Sequence, residues 1–166
     1  MEMNFPELNS HSPEQTQLLG THLGKLAQKG DTFLLTGELG AGKTCLTQGI
    51  ARGLAVKENI LSPSFVIIRE HLGRLPLYHI DFYRLDHIAE IAGLGLEEYL
   101  HGDGVCVIEW AERGISVMPQ DNLRVALNYV INSEMERVVR LIPRGQRYEE
   151  LARQLETNLR QEELWS

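Results

Sequence analysis

Apolar residues along this chain recur with two different periods, and the switching between them predicts an α/β order of elements. Leu18, Leu19, Leu23 and Leu26 follow Ser12-Pro13-Glu14 at helical spacing. Serine as an N-cap and proline in the first turn mark the start of that helix, and Gly30-Asp31 marks its end. Thr32 to Thr36 (TFLLT) is short, apolar and bounded by turn residues, which suits a strand buried on both faces. The glycine-rich GELGAG comes next, and Lys43 to Leu54 favours a helix in which Gly49 and Gly53 are weak points or places of close packing.

Further along, FVIIREH (65–71) and LPLYHIDF (75–82) read as two strands joined at Gly73, the makings of a hairpin. Between Asp86 and Leu100, apolar Ile88, Ile91, Leu94 and Leu96 are mixed with acids, so one or two short helices are expected, broken at Gly93 and Gly95. Val105 to Glu109 (VCVIE) is a continuous apolar strand that ends in a carboxylate. Leu123 to Val130 and Arg137 to Ile142 alternate as two later strands, and Glu149 to Leu159 predicts a closing amphipathic helix.

Composition narrows the class. At 166 residues the chain can bury a core without disulfides, so one domain over 1–166 is the expectation. A hydrophobic share of 43% and a charged share of 23% exclude a disordered, collagen-like or membrane-embedded chain. The formal charge of -7 repels phosphate backbones on average, so contact with nucleic acid is expected to be indirect. Met1 to Ser10 has neither a basic start nor an apolar core, so no signal peptide is expected. Cys45 and Cys106 lie apart, outside any CxxC or Cys/His pattern, which points to a reduced, cytoplasmic protein in which both are small buried hydrophobes.

The chemistry lies in Gly37-Glu38-Leu39-Gly40-Ala41-Gly42-Lys43-Thr44, which fits GxxxxGK[ST] between a predicted strand and a predicted helix. Its glycines let successive backbone N–H groups turn inward around phosphate oxygens, and the start of the helix adds the positive end of its dipole. Lys43 is placed to bridge the β- and γ-phosphates and Thr44 to coordinate Mg²⁺. Such a cradle also needs an acid at a neighbouring strand end to hold metal or orient water. Asp81 closes LYHID and Glu109 closes VCVIE; each is read either in that role or as a solvated strand-end carboxylate. With no N-K-x-D segment to read guanine and no LSGG-type signature, ATP is the expected nucleotide.

These residues together resemble the TsaE (YjeE) family, bacterial P-loop ATPases of tRNA threonylcarbamoyladenosine (t6A) biosynthesis. GELGAGKT is similar to the family's G-[DE]-L-G-A-G-K-T; Ser62-Pro63-Ser64-Phe65 is similar to S-P-T-[FY]; His79-Ile80-Asp81-Phe82-Tyr83-Arg84-Leu85 is similar to H-[FIL]-D-x-Y-R-L; and Glu109-Trp110 is similar to its E-W pair. Glu14 to Gly20 resembles the early e-x-T-x-x-L-G helix, and Arg137 stands where a late-strand arginine is usual. The blocks span roughly residues 12–145, with Ser64 in place of threonine and Ala111 in place of the usual proline after Trp110.

The resemblance implies a three-layer α/β P-loop domain with a mainly parallel sheet and antiparallel strands from the middle and late segments. It implies ATP and Mg²⁺ as cofactors, with Thr44 and Glu109 on the metal, Asp81 supporting metal or water, and Thr16 and Arg137 approaching a nucleotide cradled by Glu38 to Thr44. Ser62 to Phe65 would be a nucleotide-sensing loop. The implied partners are TsaD and TsaB, with tRNA reached through them. Trp110 is read as a core aromatic or as shaping the site, His79 as a packed strand histidine, and Tyr83 and Arg84 as partner contacts, unless Arg84 pairs structurally with Asp81. Two other readings stay open on the residues alone: a P-loop small-molecule kinase, and a binding module in which ATP selects a conformation.

Overall fold

A computed structural model of the chain describes residues 5, 7–61 and 67–162; the expected Ser62 to Phe65 loop lies outside the described residues. The elements in order are β1 (Leu8–Ser10), α1 (Pro13–Leu26), β2 (Thr32–Thr36), α2 (Lys43–Gly53), β3 (Ile68–Leu72), β4 (Pro76–Asp81), α3 (Ile88–Ala92), α4 (Glu97–Leu100), β5 (Val105–Glu109), β6 (Asn122–Tyr129), β7 (Arg137–Arg144) and α5 (Gln146–Arg160). Two short 3₁₀ helices, Ala111–Arg113 and Ile115–Val117, lie between β5 and β6.

The seven strands form one sheet in the order β1-β7-β6-β2-β5-β4-β3. β6, β2, β5 and β4 are parallel, with β2 between β6 and β5. Antiparallel strands flank this block, with β3 on β4 at one edge and β7 and then β1 beyond β6 at the other. This is the mixed sheet expected, with the β3–β4 hairpin turning at Gly73. β1 was not foreseen: LNS is too short to show a period, and its pairing with Val138 and Val139 of β7 comes from the far end of the chain.

Alternation along the central strands separates two cores, because successive side chains point to opposite sheet faces. Phe33, Leu35, Val105 and Val107 face the larger core with Leu19, Leu23, Leu46, Ile50, Leu151 and Leu155 of α1, α2 and α5. Leu34, Cys106 and Ile108 face the smaller one with Ile91, Leu96 and Leu100. The result is three layers, with the strand ends of β2, β4 and β5 between them.

Helix boundaries follow local chemistry. Ser12 caps α1 by accepting from the Gln15 N–H at 3.2 Å, with Pro13 in the first turn. The helix stops at Leu26, short of the predicted Gly30-Asp31 boundary, because Ala27 is already extended. Arg74 then donates to the carbonyls of Gly24, Lys25 and Ala27 at the helix's C-terminal end. α1 and α2 cross in backbone contact. A Cβ on Gly49 would lie 2.1 Å from the Gln17 carbonyl oxygen, and one on Gly20 would lie 2.4 Å from that of Leu46. Gly49 and Gly53 are therefore places of close packing.

Candidate nucleotide site

The loop between β2 and α2 has the conformation that its glycines permit and other residues avoid. Gly40 and Gly42 stand at φ 78° and 108°, in the region that L side chains rarely adopt. Gly42 is the N-cap of the 11-residue α2 and supplies no side-chain cap, so the first-turn N–H groups have no capping side chain. A helix start of this kind is a ready anion site.

Around it is a cavity of about 370 Å³ lined by Leu39, Gly40, Gly42, Lys43, Thr44, Cys45, Asp81, Tyr83, Glu109 and Trp110. Parallel pairing brings the acids there: Asp81 and Glu109 are register partners at the ends of β4 and β5, and both side chains are buried. The Thr44 hydroxyl donates to Glu109 Oε1 at 2.8 Å, and Asp81 Oδ1 accepts from the Tyr83 N–H at 2.8 Å. Of the sequence-derived candidates, Lys43, Thr44, Asp81 and Glu109 thus converge.

Lys43 is buried and folded over the loop. Its Nζ donates to the carbonyls of Gly37 and Glu38, the latter at 2.9 Å, and sits 3.9 Å from the Trp110 ring centroid. Burial pulls its ammonium below the ordinary lysine value, while the carboxylates of Glu112, Glu109, Asp81 and Glu38 oppose that shift. Trp110 reaches this position through a left-handed backbone at φ 57°, uncommon for a bulky residue. Tyr83 packs on it with ring centroids 4.9 Å apart. Trp110 shapes the site; it is not simply a core aromatic.

Thr16 and Arg137 meet the loop from behind. The Thr16 hydroxyl pairs with that of Ser10 at 2.7 Å, and its methyl group faces Gly42. Arg137 donates to the carbonyls of Ala41 at 3.1 Å and Gly40 at 3.2 Å. The same guanidinium holds the carbonyls of Glu134 and Glu136 and lies over the Tyr129 ring, whose hydroxyl donates to the Leu39 carbonyl.

Three contributors had no reading as site residues in the sequence. Glu112 Oε2 accepts from the Gly37 N–H at 3.0 Å. Tyr129 braces the loop from the end of β6. His79, fully buried, is not merely packed: its Nε2 bonds Glu109 Oε2. The sequence signals for His79 are its place at the head of the H-[FIL]-D-x-Y-R-L block and its position two residues before Asp81, on the same face of β4.

The donor set fits a hard cation. Among the described residues no three His, Cys, Asp or Glu side chains group as a metal cage. Mg²⁺, however, is usually held by one or two protein oxygens plus phosphates and water, and the Thr44 hydroxyl and Glu109 carboxylate are such oxygens beside an anion cradle. No helix among the described residues is long and apolar enough to cross a membrane.

Known proteins agree with this architecture. The crystal structure of Bacillus subtilis YdiB superposes with a TM-score of 0.82 at 35% identity, covering 95% of this chain and 97% of that one. Two proteins named tRNA threonylcarbamoyladenosine biosynthesis protein TsaE are similar in sequence. The one from Bacillus subtilis is 41% identical over 145 residues, 87% of this chain and 89% of its own length. The one from Treponema pallidum is 40% identical over 127 residues, 76% of this chain and 94% of its own. The family model for threonylcarbamoyl adenosine biosynthesis protein TsaE matches residues 10–139, and the chain belongs to that family.

Proposed function

We propose that this protein is a single-domain, Mg²⁺-dependent ATPase that supports threonylcarbamoyl transfer to adenosine 37 of tRNA in the cytoplasm, working with TsaD and TsaB. The observation that carries the ATPase reading is the Thr44–Glu109 hydrogen bond at 2.8 Å, set beside Lys43 at the mouth of an uncapped helix. The names of its relatives support the t6A setting.

In this reading the backbone N–H groups from Glu38 to Thr44 hold the phosphates. Lys43 leaves the carbonyls of Gly37 and Glu38 to meet the β- and γ-phosphate oxygens. Thr44 and Glu109 hold the metal. A bound Mg²⁺ would supply Lewis-acid stabilisation of the charge on the phosphate oxygens. Asp81, fixed by the Tyr83 N–H, orients the attacking water. Arg137 braces the loop backbone and keeps its N–H groups aligned.

Among the described residues, no arginine lines the cavity to stabilise charge developing on the γ-phosphate. Hydrolysis by the isolated protein is therefore slow, and the partner proteins accelerate it. The net charge of -7 fits contact with tRNA through those partners. The test is phosphate release by the protein alone, with tRNA alone, and with TsaD and TsaB, each repeated for Lys43→Ala. Stimulation only by the proteins, abolished by Lys43→Ala, is expected. Full activity alone, stimulation by tRNA without them, or wild-type turnover by Lys43→Ala contradicts the proposal.

A further inference from the structure

Glu109 is held at both of its oxygens. Thr44 donates to Oε1 at 2.8 Å, and His79 Nε2 bonds Oε2. A carboxylate only accepts, so the hydrogen on this side belongs to His79 Nε2. The other ring nitrogen, Nδ1, is buried and has no hydrogen-bond partner among the described residues. The ring is thus committed to a single donor bond, and that bond goes to Glu109.

The sheet explains why this histidine reaches this carboxylate. His79 is the register partner of Val107 in the parallel β4–β5 pair, and Asp81 is the partner of Glu109. Side chains two apart on one strand share a face, so His79 lies one step deeper than the Asp81–Glu109 pair. It has no exposed surface, and the cavity lining does not include it. His79 therefore does not meet a nucleotide. Its influence passes through Glu109.

The terminal torsion of a glutamate is broad, so an unrestrained carboxylate samples many rotations about its last bond. A single strong donor at Oε2 removes that freedom and leaves Oε1 turned to Thr44 and the cavity. We infer that His79 is a positioning residue that fixes the rotation of Glu109, so that one chosen oxygen faces the metal site. The inference rests on the reading of Thr44 and Glu109 as the metal-holding pair. Residues that orient metal ligands typically contribute about 10- to 100-fold to metal affinity.

The test uses two amides of different reach. In His79→Gln the amide nitrogen falls near the position of Nε2 and can still donate to Oε2. In His79→Asn it falls near Nδ1 and cannot. Mn²⁺ affinity is measured by electron paramagnetic resonance with a non-hydrolysable ATP analogue present, binding of a fluorescent ATP analogue is measured in EDTA, and thermal unfolding is followed for each variant.

Mn²⁺ affinity is expected to fall about tenfold or more in His79→Asn and to stay within about threefold of wild type in His79→Gln. Metal-free nucleotide affinity is expected to change in neither. A histidine that only fills space would give the opposite pattern: both variants lower the unfolding temperature alike, and neither separates metal affinity from nucleotide affinity. Equal Mn²⁺ affinities in the two variants overturn the inference. Wild-type protein that binds no Mn²⁺ with nucleotide overturns the metal-site reading itself, and the inference with it.

Discussion

Replacing Arg137 with alanine removes one side chain that touches four backbone carbonyls, and the structure says what each contact does. Two of them, to Ala41 at 3.1 Å and Gly40 at 3.2 Å, hold the phosphate loop. The other two, to Glu134 and Glu136 at 2.8 Å each, tie the β6–β7 turn to the same guanidinium. A hydrogen bond from a charged donor contributes about 1.5–3 kcal/mol when its groups are buried. Here the contacts are partly exposed, and water replaces much of what is lost, so about 0.5–1 kcal/mol each is the better scale. Stacking on Tyr129 at 4.4 Å adds about 0.5–1 kcal/mol. The expected destabilisation is about 2.5–5 kcal/mol. If roughly half of that reflects ordering of the loop, nucleotide affinity falls about tenfold or more, since 1.4 kcal/mol is a factor of ten. Because the contacts are to backbone, the loss should be equal for ADP and ATP, and Arg137→Lys should not restore it, because an ammonium cannot fork to several carbonyls. Titrations with fluorescent ADP and ATP analogues, beside urea unfolding, measure both quantities. A loss confined to ATP, with stability and ADP affinity intact, would show that the guanidinium meets the γ-phosphate and would refute the brace.

Three further outcomes are expected. Glu109→Ala and Asp81→Ala both impair hydrolysis, but raising Mg²⁺ partly restores only Glu109→Ala, because more metal offsets a lost ligand and not a lost water-orienting group; identical Mg²⁺ curves would sink this division of labour. Gly49→Ala gains about 1 kcal/mol in helix propensity, yet its Cβ would lie 2.1 Å from a backbone oxygen, so overpacking of about 3 kcal/mol dominates and denaturant unfolding should show a net loss of about 2 kcal/mol. Burial pushes the Cys106 thiol up to about 12 from an ordinary 9.0, so the native state keeps a proton that the unfolded chain releases. Its contribution to stability is complete below pH 9.0 and declines as pH rises toward about 12, and a thiol reagent at pH 8 should modify Cys45 but reach Cys106 only after unfolding.

What the sequence disclosed was whatever depends on near neighbours. TFLLT, GELGAGKT and VCVIE each combine a period, a boundary and a chemical group within a few residues, so the central strands and the loop were readable. The same holds for α1, with its serine cap and leucine spacing. What stayed hidden depends on partners distant in the chain. β1 is a strand only because β7 accepts it, and Arg137, named from the resemblance as approaching the nucleotide, turns its guanidinium on the loop carbonyls because β7 runs behind them. His79 looked like an ordinary strand histidine because nothing within β4 names Glu109; the parallel pairing of β4 with β5 makes them neighbours. The 3₁₀ turn that carries Glu112 back to Gly37 has no periodic signature at all.

The glycine crossing of α1 and α2 limits where this molecule is able to move. Most packed helices are separated by a layer of side chains that can change rotamer and absorb a small slide. Here backbone meets backbone from Gly20 and Gly24 to Gly49 and Gly53, and any slide drives peptide groups together. α1 and α2 thus behave as one strut, with the phosphate loop as its tip and Thr16 pressed against that tip. A change of bound nucleotide cannot be relayed by tilting α2 alone. Among the described residues, the contacts on the loop that a small rotation would release lie on the opposite wall, in the segment from Trp110 to Arg113, where a left-handed tryptophan and an exposed glutamate rest on it.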